Sequence, residues 1–209
     1  MPKSKTIIVT GFEPFGGYDY NPSEQIAIQL DGSQVGNFVV KSLVLPVDTN
    51  TVPRRLAQIV TEYQPVALVL LGLAFGRDGI SLERIAVNLK DWQFQDNAGN
   101  LKTDEPIDVT GPTAYLATLP IRQIKAALDV AHIPAHISNT AGLYLCNQVM
   151  YSGLHLAATQ ALEMLCGFIH LPATPELTQA TGKPAAPALL LETQKQAVQI
   201  ALHTLTLLL

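Results

Sequence analysis

The chain has 209 residues, 48% of them apolar and only 14% charged, with a formal net charge of −4 at pH 7. This excludes a disordered chain, which needs low hydrophobicity and high charge, and it argues against nucleic acid as the main partner, because phosphate binding needs clustered Lys and Arg. The length suits one domain, read as residues 1–209, and a surface so poor in charge leads us to expect a homo-oligomer, a dimer or a tetramer.

At the start of the chain, Lys3 and Lys5 precede an apolar stretch, as in a signal peptide, but Ile7-Ile8-Val9 is too short and Gly11-Phe12-Glu13-Pro14 stops it. Thr6 to Thr10 is β-branched and bounded by Gly11, so it reads as a strand. Asn21-Pro22-Ser23-Glu24 reads as a helix start, with Asn21 capping, Pro22 in the first turn and Glu24 reaching back; that helix should run to about Leu30. Phe38 to Val47 reads as a strand and Val52 to Tyr63 as a helix. Val66 to Leu71 is a continuous apolar run, as expected of a strand covered on both faces. The longest apolar run, Val66 to Phe75, falls well below the roughly 20 residues that a membrane helix needs, so no membrane partner is expected.

Ile80 to Leu89 reads as one further strand, and Asp91 to Pro112, rich in Asp, Asn and Gly, as an irregular excursion. Pro120 to Ala131 is helical, Ala135 to Ser138 a short strand, Tyr144 to Leu162 a helix and Leu165 to Leu171 a buried strand. The stretch that follows, to Pro187, reads as a loop, and Glu192 to Leu208 as a final amphipathic helix. Strands alternating with helices imply an α/β sandwich with a largely parallel twisted sheet and helices on both faces. In such sheets, sites form beyond the carboxyl ends of strands.

Two cysteines cannot build a disulfide framework, and two reduced thiols suit a cytoplasmic protein. Cys146 follows a glycine turn and enters a helix near its start, where the partial positive charge of the helix lowers a thiol's pKa and free N–H groups can hold an oxyanion. The bland alternative is an inert buried cysteine, which Cys166 fits well. His170 ends the apolar run from Leu165, where a general base would sit, although a core or rim histidine would look the same. His132 and His136 are separated by Pro134, which prevents a helical metal pair. Glu83, on an apolar strand face, needs a partner. A histidine would serve, and so would some lysine or arginine. The loop Gly11 to Gly17 lacks any phosphate-loop pattern; its two phenylalanines suit a planar or apolar ligand as well as they suit plugging the core.

Several segments together resemble the pyroglutamyl peptidase I family of cytosolic cysteine peptidases. They are Val9 to Gly17 with Asn21-Pro22-Ser23, Gly72 to Arg77, Ile80 to Asn88, Asp96 to Asn100, Asn139 to Asn147 and Gly167 to Pro172, in the family's order. The resemblance implies an α/β/α sandwich, typically tetrameric in bacteria, and removal of an N-terminal pyroglutamyl residue from small peptides without a cofactor. It further implies Cys146 as nucleophile, His170 as base and Glu83 as orienting carboxylate, with Phe12, Phe15, Leu73 and Gln93 at the substrate. Gln93 is a departure: the family commonly carries an arginine there, thought to assist the developing oxyanion, and glutamine donates a hydrogen bond without charge. The resemblance therefore leads to the expectation of weakened catalysis or altered specificity. Two other readings are a catalytically silent binding member and a phosphorylase-like transferase, for which only Arg77 and Arg84 lie in the right region to hold phosphate.

Overall fold

A computed structural model describes residues 5–209, so Lys3 lies outside the described residues. Nine strands and six helices are formed among them: β1 (Thr6–Phe12), α1 (Pro22–Leu30), β2 (Gln34–Val35), β3 (Phe38–Leu45), α2 (Val52–Tyr63), β4 (Ala67–Leu73), β5 (Ile80–Glu83), β6 (Ile85–Val87), β7 (Ala114–Leu116), α3 (Ile121–Val130), β8 (Ala135–Ser138), α4 (Leu145–Thr159), β9 (Leu165–Leu171), α5 (Pro175–Ala180) and α6 (Leu191–Thr206). Seven strands form one sheet in the order β2-β3-β1-β4-β9-β5-β8, and β6 pairs with β7 in a separate two-stranded ribbon. Strands β3, β1, β4 and β9 are mutually parallel, whereas β5 runs antiparallel to β9 and parallel to β8. The sheet is mixed, with a parallel centre. No helix among the described residues is long and apolar enough to cross a membrane.

The two-residue period of a strand divides the core into two layers. Ile7 and Val9 of β1, Val69 and Leu71 of β4, Ile80 and Leu82 of β5, and Ile169 and Leu171 of β9 pack with α1, α3 and α6. The alternate residues, Ile8, Leu68, Leu70, Cys166 and Phe168, pack with α2 and α4. By the same alternation Gly72, Glu83 and His170 belong to the α4 face. Three residues remote in sequence are thus brought to one side of the sheet.

Local chemistry explains most boundaries. Asn21 accepts from the Ser23 N–H at 3.0 Å and caps α1, with Pro22 in the first turn. Strand β3 stops at Leu45, before Pro46, which has no N–H to give to the ladder. Two expectations are corrected. The stretch from Ile80 to Leu89 is not one strand. The Arg84 N–H donates to Ser138 O at 2.8 Å, its carbonyl accepts from Ala117 N at 2.8 Å, and there the chain leaves the main sheet for the ribbon. Glu83 therefore shares its face with Ser81, not with Ile85 and Val87. The stretch after Leu171 is not all loop, because Thr174 caps the short helix α5 by accepting from Leu177 N.

Candidate active site

The start of α4 is fixed before any chemistry is considered. Asn147, 1% exposed, donates to Val87 O at 2.9 Å and Leu89 O at 3.0 Å and accepts from Val87 N at 2.9 Å. Gln148 is bound to Thr49 through both its oxygen and its amide. Tyr144, preceding the helix, packs against Trp92 at 4.9 Å and Phe94 at 4.7 Å between ring centroids. Cys146, the second residue of α4, is held from three sides. Its own backbone N–H points at its sulfur, as expected at a helix N-terminus.

Beneath it lies the sheet. Strand β4 places Gly72 in register with His170 of β9, and a side chain at Gly72 would begin 3.0 Å from Cys146 Sγ. The glycine leaves room for the sulfur beside the imidazole's own strand. Across β9, Ser81 of β5 is paired with His170, and Glu83 follows two residues later on the same face. His170 Nδ1 lies 2.7 Å from Glu83 Oε1. Glu83 is fully buried and His170 is 4% exposed. With the carboxylate as acceptor, the ring carries its proton on Nδ1 and leaves the Nε2 lone pair free. Cys146 and His170 line the same cavity, although among the described residues no hydrogen bond joins sulfur to ring.

Burial opposes the charged form of every member. It pushes the Cys146 thiol up to about 12, with the Glu83 charge adding to the effect and Arg77 opposing it. Burial also lowers His170, against the opposing pull of the Glu83 carboxylate. For Glu83 burial raises the pKa, but the hydrogen bond from His170 and the Arg77 charge outweigh it and hold the carboxyl below its usual range. The resting site is a neutral thiol and a neutral imidazole over an ionised carboxylate.

The cavity has a volume of about 550 Å³. Its lining includes Phe15, Tyr18, Leu73, Phe75, Phe94 and Tyr144. A larger groove of about 740 Å³, lined by Lys5, Phe38 and Met164 among others, lies at the opposite ends of β1, β4 and β9 and contains neither a thiol nor an imidazole.

Of the residues expected from sequence, Cys146, His170, Phe15 and Leu73 line the cavity, with Glu83 directly behind His170. Phe12 does not line it. Strand β1 extends to Phe12, and the alternation that buries Ile8 carries the ring into the core layer under α2 and α4, 3% exposed. Gln93 is exposed and also absent from the lining, while its neighbours Phe94 and Gln95 face the cavity. Sequence reasoning missed Tyr18, Phe75, Arg77, Phe94 and Tyr144 as cavity residues. For Phe75 and Arg77 a signal existed, since both follow the carboxyl end of a central strand.

A family model described as pyroglutamyl peptidase matches residues 5–207. The pyrrolidone-carboxylate peptidase of Pyrococcus furiosus is 46% identical over 95% of this chain and 99% of its own. That of Deinococcus radiodurans is 42% identical over 96% of this chain and 94% of its own. Among solved structures, a mutant pyrrolidone carboxyl peptidase from Pyrococcus furiosus superposes with a TM-score of 0.93 at 45% identity, covering 96% of this chain and 98% of that one.

Proposed function

Because the chain belongs to the pyroglutamyl peptidase family of cysteine peptidases and acts in removing N-terminal pyroglutamate from peptides, we propose that Cys146, His170 and Glu83 carry out the hydrolysis in the cavity under α4. The observation that carries this assignment is a helix-start thiol sharing a cavity with an imidazole whose far nitrogen is bound to a buried carboxylate.

The neutral resting pair sets the order of events. As Cys146 Sγ attacks the carbonyl carbon of the pyroglutamyl group, His170 Nε2 takes the thiol proton, so the buried site never holds an isolated thiolate. Glu83 stabilises the imidazolium that results and keeps Nδ1 protonated throughout. Backbone N–H groups at the start of α4 face the developing oxyanion. On collapse, His170 returns the proton to the leaving amine as the C–N bond breaks. The same ring then takes a proton from water, whose oxygen attacks the thioester carbon; the C–S bond breaks, pyroglutamate leaves, and the imidazolium returns its proton to the Cys146 sulfur. Phe15 and Leu73 offer an apolar wall to the uncharged lactam ring. Gln93, exposed and outside the cavity lining, brings no charge to this step, and we read catalysis here as weakened because glutamine lacks the length and charge by which an arginine at this position would reach the site. Gln93→Arg should raise kcat about tenfold; an unchanged kcat removes position 93 from the site.

We further read residues 1–209 as one domain, acting in the cytoplasm as a homo-oligomer, without a nucleic-acid or membrane partner. The sparse charge and the exposed Leu207, Leu208 and Leu209 support association between copies. The decisive experiment for the active site is hydrolysis of a pyroglutamyl arylamide by wild type and by Cys146→Ser, with a prolyl arylamide as control. Wild type should release arylamine from the first substrate only, and Cys146→Ser should lose at least about 10³-fold in kcat. Equal turnover by the two proteins would end the assignment.

A further inference from the structure

Strands β4 and β5 are not neighbours, because β9 lies between them. The connection from Ala74 to Gly79 must therefore pass over the carboxyl end of β9, where His170 sits. It is anchored there by Ala74 N donating to Leu171 O at 2.8 Å, and it turns at Gly76, whose φ of 91° favours glycine. The next residue, Arg77, comes down over the site and lines the cavity. One guanidinium nitrogen donates to Glu83 Oε1 at 2.6 Å, the oxygen that also accepts from His170 Nδ1. Another donates to Thr140 O at 3.1 Å, in the loop that delivers Cys146.

We propose that Arg77 is a positioning residue of this site, clamping the Glu83 carboxylate in the orientation that holds His170 and tying that pair to the loop that carries the nucleophile. The proposal rests on the assignment of Cys146, His170 and Glu83 made above. Its physical basis is the shape of the side chain. A guanidinium presents several donors in a fixed plane, so fixing it on Thr140 O fixes the donor that meets Glu83. Lysine offers one compact ammonium and cannot span both acceptors with fixed geometry. The pair is charge-assisted and, on the Glu83 side, fully buried, which is where such a bond resists exchange with water. The ionisable groups that face His170 are Glu83 from β5, Arg77 from this loop and Cys146 from α4. The loop at Thr140 has further supports, Ser138 Oγ donating to Thr140 O and Arg84 donating to Asn139 Oδ1, so the loss of Arg77 should loosen the site without unfolding it.

The test uses Arg77→Ala and Arg77→Lys in the full chain. With a pyroglutamyl arylamide, Arg77→Ala should lower kcat about 10- to 100-fold with KM within about threefold, and Arg77→Lys should fall between it and wild type. Because Arg77 lines the cavity, the space left by alanine is open from it, and millimolar guanidinium should restore kcat in a saturable manner. Guanidinium cannot repair a general loss of stability, so rescue separates positioning from structural support. Independently of turnover, the downfield imidazole N–H signal of His170, identified by its absence in His170→Gln, should be present in wild type, lost in Arg77→Ala and regained with guanidinium. If wild type fails to turn over the arylamide but the N–H signal responds, the substrate assignment fails and the role of Arg77 stands. If wild type turns over and Arg77→Ala changes neither kcat beyond twofold nor the N–H signal, the role of Arg77 is overturned. A fall in kcat that guanidinium does not restore, with the N–H signal intact, overturns it as well.

Discussion

Gly72 shows how narrowly the site is built. A Cβ at this position would lie 3.0 Å from Cys146 Sγ and 2.7 Å from Phe168 Cζ. The Phe168 ring is buried in the α4-side core and packs against His170 at 4.6 Å between centroids, so it has little room to withdraw. The sulfur, which borders the cavity, is the group able to move. Gly72→Ala should therefore both strain the core at Phe168 and displace the nucleophile. We expect a stability loss of about 1–3 kcal/mol by urea unfolding, and a kcat on a pyroglutamyl arylamide reduced by at least about tenfold. Full activity in this variant would mean that the position of the sulfur is not critical.

At the scale of elements, local pattern was enough to locate α2, β8 and β9 from sequence: α2 keeps a helical spacing of apolar residues, β9 is a continuous apolar run, and β8 is a short segment bounded by Pro134 and the polar stretch from Asn139. It was not enough for β5 and β6. The apolar pattern continues across Arg84 while the hydrogen-bonding partner changes from β8 to β7, and a change of partner leaves no mark on periodicity. Phe12 was misplaced for a related reason: the strand runs past Gly11, whose missing side chain lets Ser23 O approach its backbone, so the next residue follows the strand into the core. The chemistry of Cys146 was legible because a helix start after a glycine turn is local. For Arg77 only its place after a strand end was legible; its bonds were not, because they depend on a loop crossing a strand that begins 88 residues later in the chain. The helix that carries the nucleophile is held to the ribbon by the three bonds of Asn147, and this yields an element-scale expectation. Asn147→Ala leaves Val87 N–H and two carbonyls without their partner in a partly buried setting, which should cost about 1–3 kcal/mol in urea unfolding. It should also lower kcat, whereas a variant with wild-type stability would show that these bonds are readily replaced by water.

Across the whole molecule, placing an ionisable chain of residues inside the α4 face links catalysis to the pH dependence of folding. His170 has a lowered pKa in the folded protein, first through burial, so between that value and the ordinary imidazole pKa of about 6.5 the unfolded chain binds more protons than the native one. Stability is therefore complete above about pH 6.5 and falls as the pH is lowered through this window, by up to ~1.4 kcal/mol per pH unit. Glu83 acts in the same direction further down. Its carboxyl is held below the ordinary value, so its contribution is present above about pH 4.5 and is lost as the pH falls toward its folded pKa. The two windows are separable by mutation. His170→Gln can still donate to Glu83 but does not titrate, so it should flatten the fall in urea midpoint between pH 7.5 and 5.5 while leaving a decline at lower pH. The same neutral imidazole is the catalytic base, so kcat/KM in wild type should persist below pH 6.5 and fail only where the folded-state imidazole takes up its proton, at the lower end of the same window. A variant whose stability falls as steeply as that of wild type between pH 7.5 and 5.5 would assign the proton uptake to a different group, and with it the acid limb of the rate profile.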